Sequence, residues 1–356
     1  MQRHRSDGIG LDELAQATRN HGMPLEALTA DLTPAGLHYL LTHYDVPFPD
    51  HASWAITFDG FERPLRLTLG DLRARARTSQ PVTLECAGNG RALFESRPLS
   101  QPWLLEAVGT AEWSGTPLAP LLREAGVPAH TVDIAFAGLD RGIEGGEEAG
   151  YERGLPLAEA MREDVMIAFE MNGQPLLPQH GAPARLIVPG WYGMAHVKWL
   201  DRITALAEPF EGYQNTVSYR LREQQEEPGE ALTRMRVRSL MAPPGLPTFP
   251  ERDRMLAPGP TTLQGRAWSG SAPIERVEVS LDGAATWSDA ELQPAPAAHA
   301  WQRWTFDWTA TPGMHDLACR ATDATGATQP MAADPNLGGY ANNAVHRVRV
   351  TVTAGS

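Results

Sequence analysis

Cysteine occurs only twice in 356 residues, at positions 86 and 319. Two thiols build neither a disulfide framework nor a four-cysteine zinc site. Without CxxC or CxxCH there is also no dithiol redox motif and no covalent haem attachment. No apolar run approaches the ~18 residues that a membrane-spanning helix needs. Basic charge is scarce as well: 30 Lys and Arg stand against 43 Asp and Glu, a net charge of −13. So acidic a chain is a poor general binder of nucleic acid or of an anionic membrane surface. The N-terminal stretch "MQRHRSDGIGLDELAQATRNHG" has basic residues but no apolar segment behind them and no twin arginine. No export signal is read there, and a cytoplasmic location is the expectation.

What is present is globular, 42% hydrophobic, and long enough for two cores. Residues 1–230 mix short helices with strands. "GDLRARA" and "PLAPLLREAG" read as helices, the second entered at Pro117 and stopped at Gly126. "PVTLEC", "VDIAFAG", "VMIAFEM" and "ARLIVPG" are strand-like runs, and Asn172-Gly173 marks a hairpin turn. Residues 221–260 are charged and then dense in proline, as in a linker or a long crossing segment.

Beyond it the chain is nearly all strand, with Ile274, Val277, Val279 and Leu281 carrying the apolar positions of one run. Short strands and tight turns of this kind predict an immunoglobulin-like sandwich over 231–356. The fold class is therefore α+β: a mixed α/β domain followed by an all-β one. Cys319, inside a strand, reads as a small buried apolar residue. The cations of "RMRVR" (234–238) read as a solvated or interface face, and the ten tryptophans as packing.

Cys86 is different. It ends a strand in "TLECAGNGR", where Gly88 and Gly90 let the backbone turn sharply against another body and Arg91 favours a thiolate. A core thiol needs none of this. The glycines fit neither GxGxxG nor GxxxxGK[ST], so no nucleotide loop is implied. The residues alone favour a metal ligand or a nucleophile and do not separate the two.

"LECAGNGR" resembles the active-site stretch of the sulfite oxidase family of molybdenum enzymes. The likeness continues in order through "TRNHGMP", "VGTAEWSGTPLAPLL", "FAGLD", "FEMNGQPLLPQHGAPARLIVPGWYGMAHVKWL", "RAWSG…VEVSLDGAATW" and "NLGGYANNAVHRVRV". The resemblance implies that Cys86 ligates molybdenum, whose other sulfurs come from the dithiolene of a molybdopterin. One soft protein thiolate is then enough. It implies cofactor contacts from Ala17, Thr18, Arg19, Asn20 and His21. Further contacts are implied from Asp140, His180, Arg185, His196, Val197 and Lys198, the last group holding the pterin phosphate and ring. Taken singly, Arg185 reads as a strand cap, Lys198 as a surface lysine and Asp140 as a turn residue.

The implied reaction is two-electron oxygen-atom transfer, most simply sulfite to sulfate, with electrons passing to an external cytochrome or to oxygen. Another small oxyanion or an S- or N-oxide, as in nitrate or sulfoxide reduction, is the alternative substrate class. Arg19 and Arg91 match two anion-pocket arginines of the family, and Tyr219 its active-site tyrosine, with Tyr213 as second candidate. One departure stands out: animal-type members carry a further pocket arginine after A-W-S-G-G-G. Here Ser271, Ala272 and Pro273 occupy that place, with Arg266, Arg220 and Arg222 as possible substitutes. The resemblance further implies a homodimer, and no haem domain is read ahead of residue 1. Outside this class, a cysteine hydrolase predicts iodoacetamide-sensitive activity without metal. A non-catalytic binding protein would have no need of the polar glycine-rich loops.

Overall fold

The computed structural model describes residues 9–144, 146–249 and 251–354. Two sheets organise the first domain. One runs in the order Leu65–Thr68, Ala55–Asp59, Leu200–Leu206, Asp133–Glu144, Glu147–Pro156. The other pairs Thr78–Glu85 with Val108–Pro117 and then with Met166–Met171, which also carries Arg185–Ile187. Between them lies a core of Ile56, Phe58, Leu121, Leu122, Phe136, Ile167, Leu186 and Ile203.

Local signals explain these elements. Leu118–Ala125 is helical after Pro117 and ends at Gly126, whose φ of 76 suits a residue without Cβ. Thr68 and Asp71 form a reciprocal capping box at the start of Leu69–Arg73. Asn172 and Gly173 both have positive φ, 51 and 73, the geometry of a tight hairpin.

The second domain is a sandwich of a four-stranded and a six-stranded sheet. Its core holds Leu263, Val277, Val279, Trp304, Trp308, Leu317 and Cys319. Cys319 is fully buried and exchanges weak bonds with Ser239, so the small-apolar reading holds. The proline-dense segment is more structured than a linker. It supplies the short strands Glu230–Ala231, Arg238–Met241, Leu246–Pro247 and Arg254–Leu256. Pro228, Pro243, Pro244 and Pro258 lie between strands, Pro247 ends the edge strand Leu246–Pro247 and Pro260 sits at the start of Gly259–Trp268, places where a missing backbone N–H is tolerated.

The two domains share a third core, in which Met23, Ala87, Tyr192 and Tyr219 meet Leu240, Trp268, Trp301 and Ala341. The "RMRVR" row lies on this seam. Arg234 reaches Glu159 and Arg236 reaches the carbonyl of Ala341. Arg238 is buried, so the interface reading holds and the solvated one does not. None of the helices among the described residues is long and apolar enough to cross a membrane.

Candidate active site

The strand Thr78–Glu85 delivers Cys86 to a tight loop at the domain seam. The Cys86 N–H donates to Ala107 O at 2.9 Å, and its carbonyl accepts from the Asn89 N–H at 2.9 Å. The glycines behind it have specific causes. A Cβ on Gly88 would fall 2.4 Å from Nη2 of Arg91, and one on Gly90, at φ 91, would fall 3.0 Å from the Asn342 side chain. The body that the backbone passes is thus the guanidinium on one side and the second domain on the other. Arg91 Nε donates to Gly338 O at 3.0 Å, Nη1 donates to Gln101 O at 2.9 Å, and the Tyr340 ring covers the guanidinium at 5.1 Å.

Beneath the loop lies a buried network. Glu85 accepts from Arg238 Nη1 at 2.5 Å, from Trp268 Nε1 at 2.9 Å and from Asn89 Nδ2 at 3.0 Å. Two of these donors come from the second domain, so the floor under Cys86 is a joint product of both. Burial pushes the Cys86 thiol pKa up, while Arg91, the Gly88 N–H and the Trp103 indole favour the thiolate.

Cys86 lies where two cavities meet. The inner one, a narrow cleft of about 60 Å³, is lined by His38, Tyr39, His43, Tyr151, His180, Arg185, His196, Lys198 and Tyr219. Its cations are unusual. Arg185 donates only to the carbonyls of His180 and His196, at 3.0 and 3.1 Å. Lys198 Nζ donates only to Leu41 O and Gln179 O, at 2.9 and 3.1 Å. Neither has a carboxylate within salt-bridge reach among the described residues. Burial lowers the Lys198 pKa to about 7 and the Arg185 pKa to about 10, with Arg185 adding to the shift at Lys198. Burial likewise holds His180 near 3, with His38 and Arg185 contributing. Asp140 offsets part of the shift at Lys198 from beyond salt-bridge distance, so the cleft keeps an excess of buried positive charge, which favours an anion.

The outer cavity measures about 410 Å³ and is lined by Arg19, Asn20, His43, Arg91, Glu144, Tyr213, Tyr219 and Tyr340, among others. Tyr219 reaches both cavities, and its hydroxyl lies 2.7 Å from Nε2 of His43. Its backbone is left-handed at φ 47, a costly conformation for a bulky residue and one that concentrates at functional sites. Tyr213 stands 41% exposed in the outer wall, away from the inner cleft, so of the two candidates only Tyr219 lines the cleft with Cys86, as Tyr39 and Tyr151 also do.

Other expected residues fall less centrally. Ala17, Thr18 and His21 line neither cavity. The Thr18 hydroxyl turns back to Ala15 O, and His21 bridges to Leu40 through its backbone. Asn20 does reach the outer wall, but its amide is committed to Gln16, Gln101 and Thr42, which makes it a clasp. Asp140 and Val197 are buried outside the two linings. His196 uses both ring nitrogens on the fold. Nδ1 accepts from the Val188 N–H at 3.1 Å, which leaves Nε2 to donate to Trp191 O at 3.2 Å.

The proposed substitutes for the absent arginine do not supply one. Arg266 is buried against Leu28 O, Thr29 O and Asp31. Arg220 is tied to Asn215, Pro228 and Gly229, and Arg222 to Val217. Sequence reasoning also missed His38, His43 and Tyr340. The repeated His-Tyr pairs at 38–39 and 43–44 were a usable signal, whereas nothing in "GGYANN" marks Tyr340.

The donor set can be tested against the implied cofactor. Among the described residues, no three His, Cys, Asp or Glu side chains converge on a metal position. A metal held through Cys86 therefore takes its remaining ligands from a non-protein group. His38 Nε2 and Arg185 Nε are buried without a hydrogen-bond partner, beside a cleft walled by uncompensated cations. Both features suit a phosphate-bearing group with polar edges.

Residues 43–214 match the oxidoreductase molybdopterin binding domain, and 230–353 match the Mo-co oxidoreductase dimerisation domain. Chicken sulfite oxidase is 33% identical over 95% of this chain and 77% of its own length. The chain belongs to the sulfite oxidase family of molybdopterin oxidoreductases. Human mitochondrial sulfite oxidase is also 33% identical, over 95% of this chain, and the chain spans only 65% of that protein's length. Among solved structures, the sulfane dehydrogenase SoxCD of Paracoccus pantotrophus superposes with a TM-score of 0.81 at 28% identity, over 94% of this chain and 86% of that one. The α+β architecture, with its molybdopterin domain and sandwich, is that of the family.

Proposed function

We propose that this chain catalyses molybdenum-dependent oxygen-atom transfer to sulfur, in its simplest form the oxidation of sulfite to sulfate. An external acceptor, a cytochrome or oxygen, takes the two electrons. The observation that carries the reading is the position of Cys86 at the junction of a cation-walled cleft and an arginine- and tyrosine-lined cavity. The bound cofactor supplies a metal that exchanges two electrons together with an oxygen atom.

The chain's own residues do the rest. Cys86 anchors the metal, while Arg185, Lys198 and His180 hold the pterin's anionic and polar edges. Arg91 and Arg19 attract and orient an oxyanion in the outer cavity. Burial keeps Tyr219 a phenol and holds the His43 pKa near 4, so both are neutral at neutral pH. With its proton on Nε2, His43 donates to the Tyr219 oxygen and frees the phenolic hydrogen for a substrate oxygen. The second domain builds the floor under Cys86 and provides a homodimer interface.

Sulfite turnover by the molybdenum-loaded protein with an artificial electron-accepting dye tests this directly. Rapid dye reduction is expected. Nitrate-dependent oxidation of a reduced dye, with no sulfite activity, would move the chain to the alternative substrate class.

A further inference from the structure

Lys198 is the only lysine among the 30 Lys and Arg of the chain. It stands half-buried in the wall of the inner cleft. Its Nζ donates to Leu41 O at 2.9 Å and to Gln179 O at 3.1 Å. Leu41 lines both cavities, so the amine sits by their junction, in reach of a small molecule entering through the outer one. Arg185 starts from the same spot: a Cβ on Gly181 would fall 3.0 Å from Lys198 Cβ and 3.2 Å from Arg185 Cβ. The guanidinium is buried, and its Nε has no hydrogen-bond partner. Burial holds His180 near pKa 3 and His43 near 4, so both are neutral, and Asp140 acts on Lys198 only from beyond salt-bridge distance. With its own pKa lowered to about 7 by burial and by Arg185, the Lys198 amine is largely free base at pH 8. Its two hydrogens then serve the two carbonyls, and its lone pair is left unengaged. A desolvated neutral amine is the nucleophilic form of lysine.

We propose that Lys198 is an acylation site of the cofactor-free protein, that it takes its acyl group from an acyl phosphate such as acetyl phosphate, and that this closes the cleft to the cofactor. The proposal rests on the placement of molybdopterin in the inner cleft given above. Arg185 binds the phosphoryl end by charge-assisted hydrogen bonds and brings the carbonyl carbon to Nζ. A neutral acyl donor lacks that grip. The Nζ lone pair forms the C–N bond and the C–O bond to phosphate breaks. Inorganic phosphate leaves with the proton that the nitrogen sheds, and nothing is oxidised or reduced. The acetylated side chain has lost its charge and fills space beside Arg185 that an anionic group needs. When the cofactor occupies the cleft, the same amine is covered and paired.

The test incubates the full chain, prepared with and without molybdopterin, with acetyl phosphate at pH 8 and locates acetylation by peptide mass spectrometry. The chain's α-amino group, about half free base at this pH, is the reference amine. In the cofactor-free protein Lys198 should acetylate about tenfold faster than that reference, and added inorganic phosphate should slow Lys198 alone. In the loaded protein Lys198 should react about tenfold more slowly or less. Arg185→Ala should slow the reaction with acetyl phosphate about tenfold more than that with the neutral donor p-nitrophenyl acetate. Cofactor-free protein acetylated at Lys198 should take up about tenfold less molybdenum from added molybdenum-bearing molybdopterin. Lys198 no faster than the α-amino group, no competition by phosphate, modification at Cys86 in its place, equal labelling of the loaded protein, or undiminished molybdenum uptake overturns the proposal. The expected labelling pattern without sulfite turnover would sink the proposed function and leave the acylation site standing.

Discussion

In the inner cleft, Arg185 and Lys198 are buried on carbonyl oxygens with no carboxylate at salt-bridge distance among the described residues, and burial pulls both pKa values down. In the outer cavity, Arg91 and Arg19 share their space with Glu144 and three tyrosines. In the proposed function both regions attract anions, but for different lengths of time. Uncompensated buried charge is tolerable only when an anion is nearly always there to pair with it, as with a resident cofactor. Partly neutralised, partly exposed charge lets an anion arrive and leave within each catalytic cycle.

Substitutions that act on one cavity and spare the other test this division. Arg185→Ala should cut the molybdenum-to-protein ratio of the purified protein by about tenfold or more. Arg19→Ala should leave the ratio unchanged and raise KM for sulfite by about tenfold, since a rim cation gives binding more than chemistry. Elemental analysis and steady-state kinetics on the same preparations decide it. An unchanged ratio in Arg185→Ala would erase the contrast between the two cavities.

Next in size is the effect on the chemical step. Tyr219→Phe removes the phenol that reaches both cavities and should lower kcat by roughly a hundredfold. Tyr213→Phe, in the outer wall alone, should alter kcat by no more than about twofold. Equal effects would mean that the left-handed Tyr219 has no privileged role.

Glu85→Gln addresses the floor that both cavities share. It leaves Arg238 buried without its carboxylate and should cost about 3 kcal/mol of stability by denaturant unfolding. A change below about 1 kcal/mol would show that the network is not what holds the domains on the Cys86 loop.

The smallest effect is one of pH. Lys198 has its folded pKa at about 7 instead of the ordinary 10.5, so above pH 7 the free protein holds this lysine neutral. An anion in the cleft must then take up a proton with it, and its affinity falls as pH rises from 7 toward 10. Prolonged dialysis should therefore remove more molybdenum at pH 9 than at pH 7. Lys198→Met should lose that pH dependence.

Much of this was legible in the sequence because it is encoded locally. Pro117 and Gly126 bracket a helix, Asn172-Gly173 turns a hairpin, and "LECAGNGR" ends a strand in a tight loop. The order of motifs pointed to Cys86, Arg185 and Lys198, which the fold brings to one cleft. What stayed hidden depends on distant parts of the chain. Tyr340 and Arg238 reach the Cys86 loop from the second domain, across sequence separations that no local pattern records. Nor does sequence say how a side chain is used. Asn20 and His196 sit where the motifs put them, yet their polar atoms serve the fold. Arg266 shows the same limit from the other side, a plausible pocket cation that instead ties the domains together at Leu28 and Asp31.

The central claim is that Cys86 is the protein's ligand to molybdenum, while the equally buried Cys319 is packing. X-ray absorption at the molybdenum edge, on wild type, Cys86→Ser and Cys319→Ser, tests it most directly. The account predicts one sulfur fewer around the metal in Cys86→Ser, with turnover abolished, and an unchanged sulfur count and activity in Cys319→Ser. An unchanged sulfur shell in a fully active Cys86→Ser protein would contradict it.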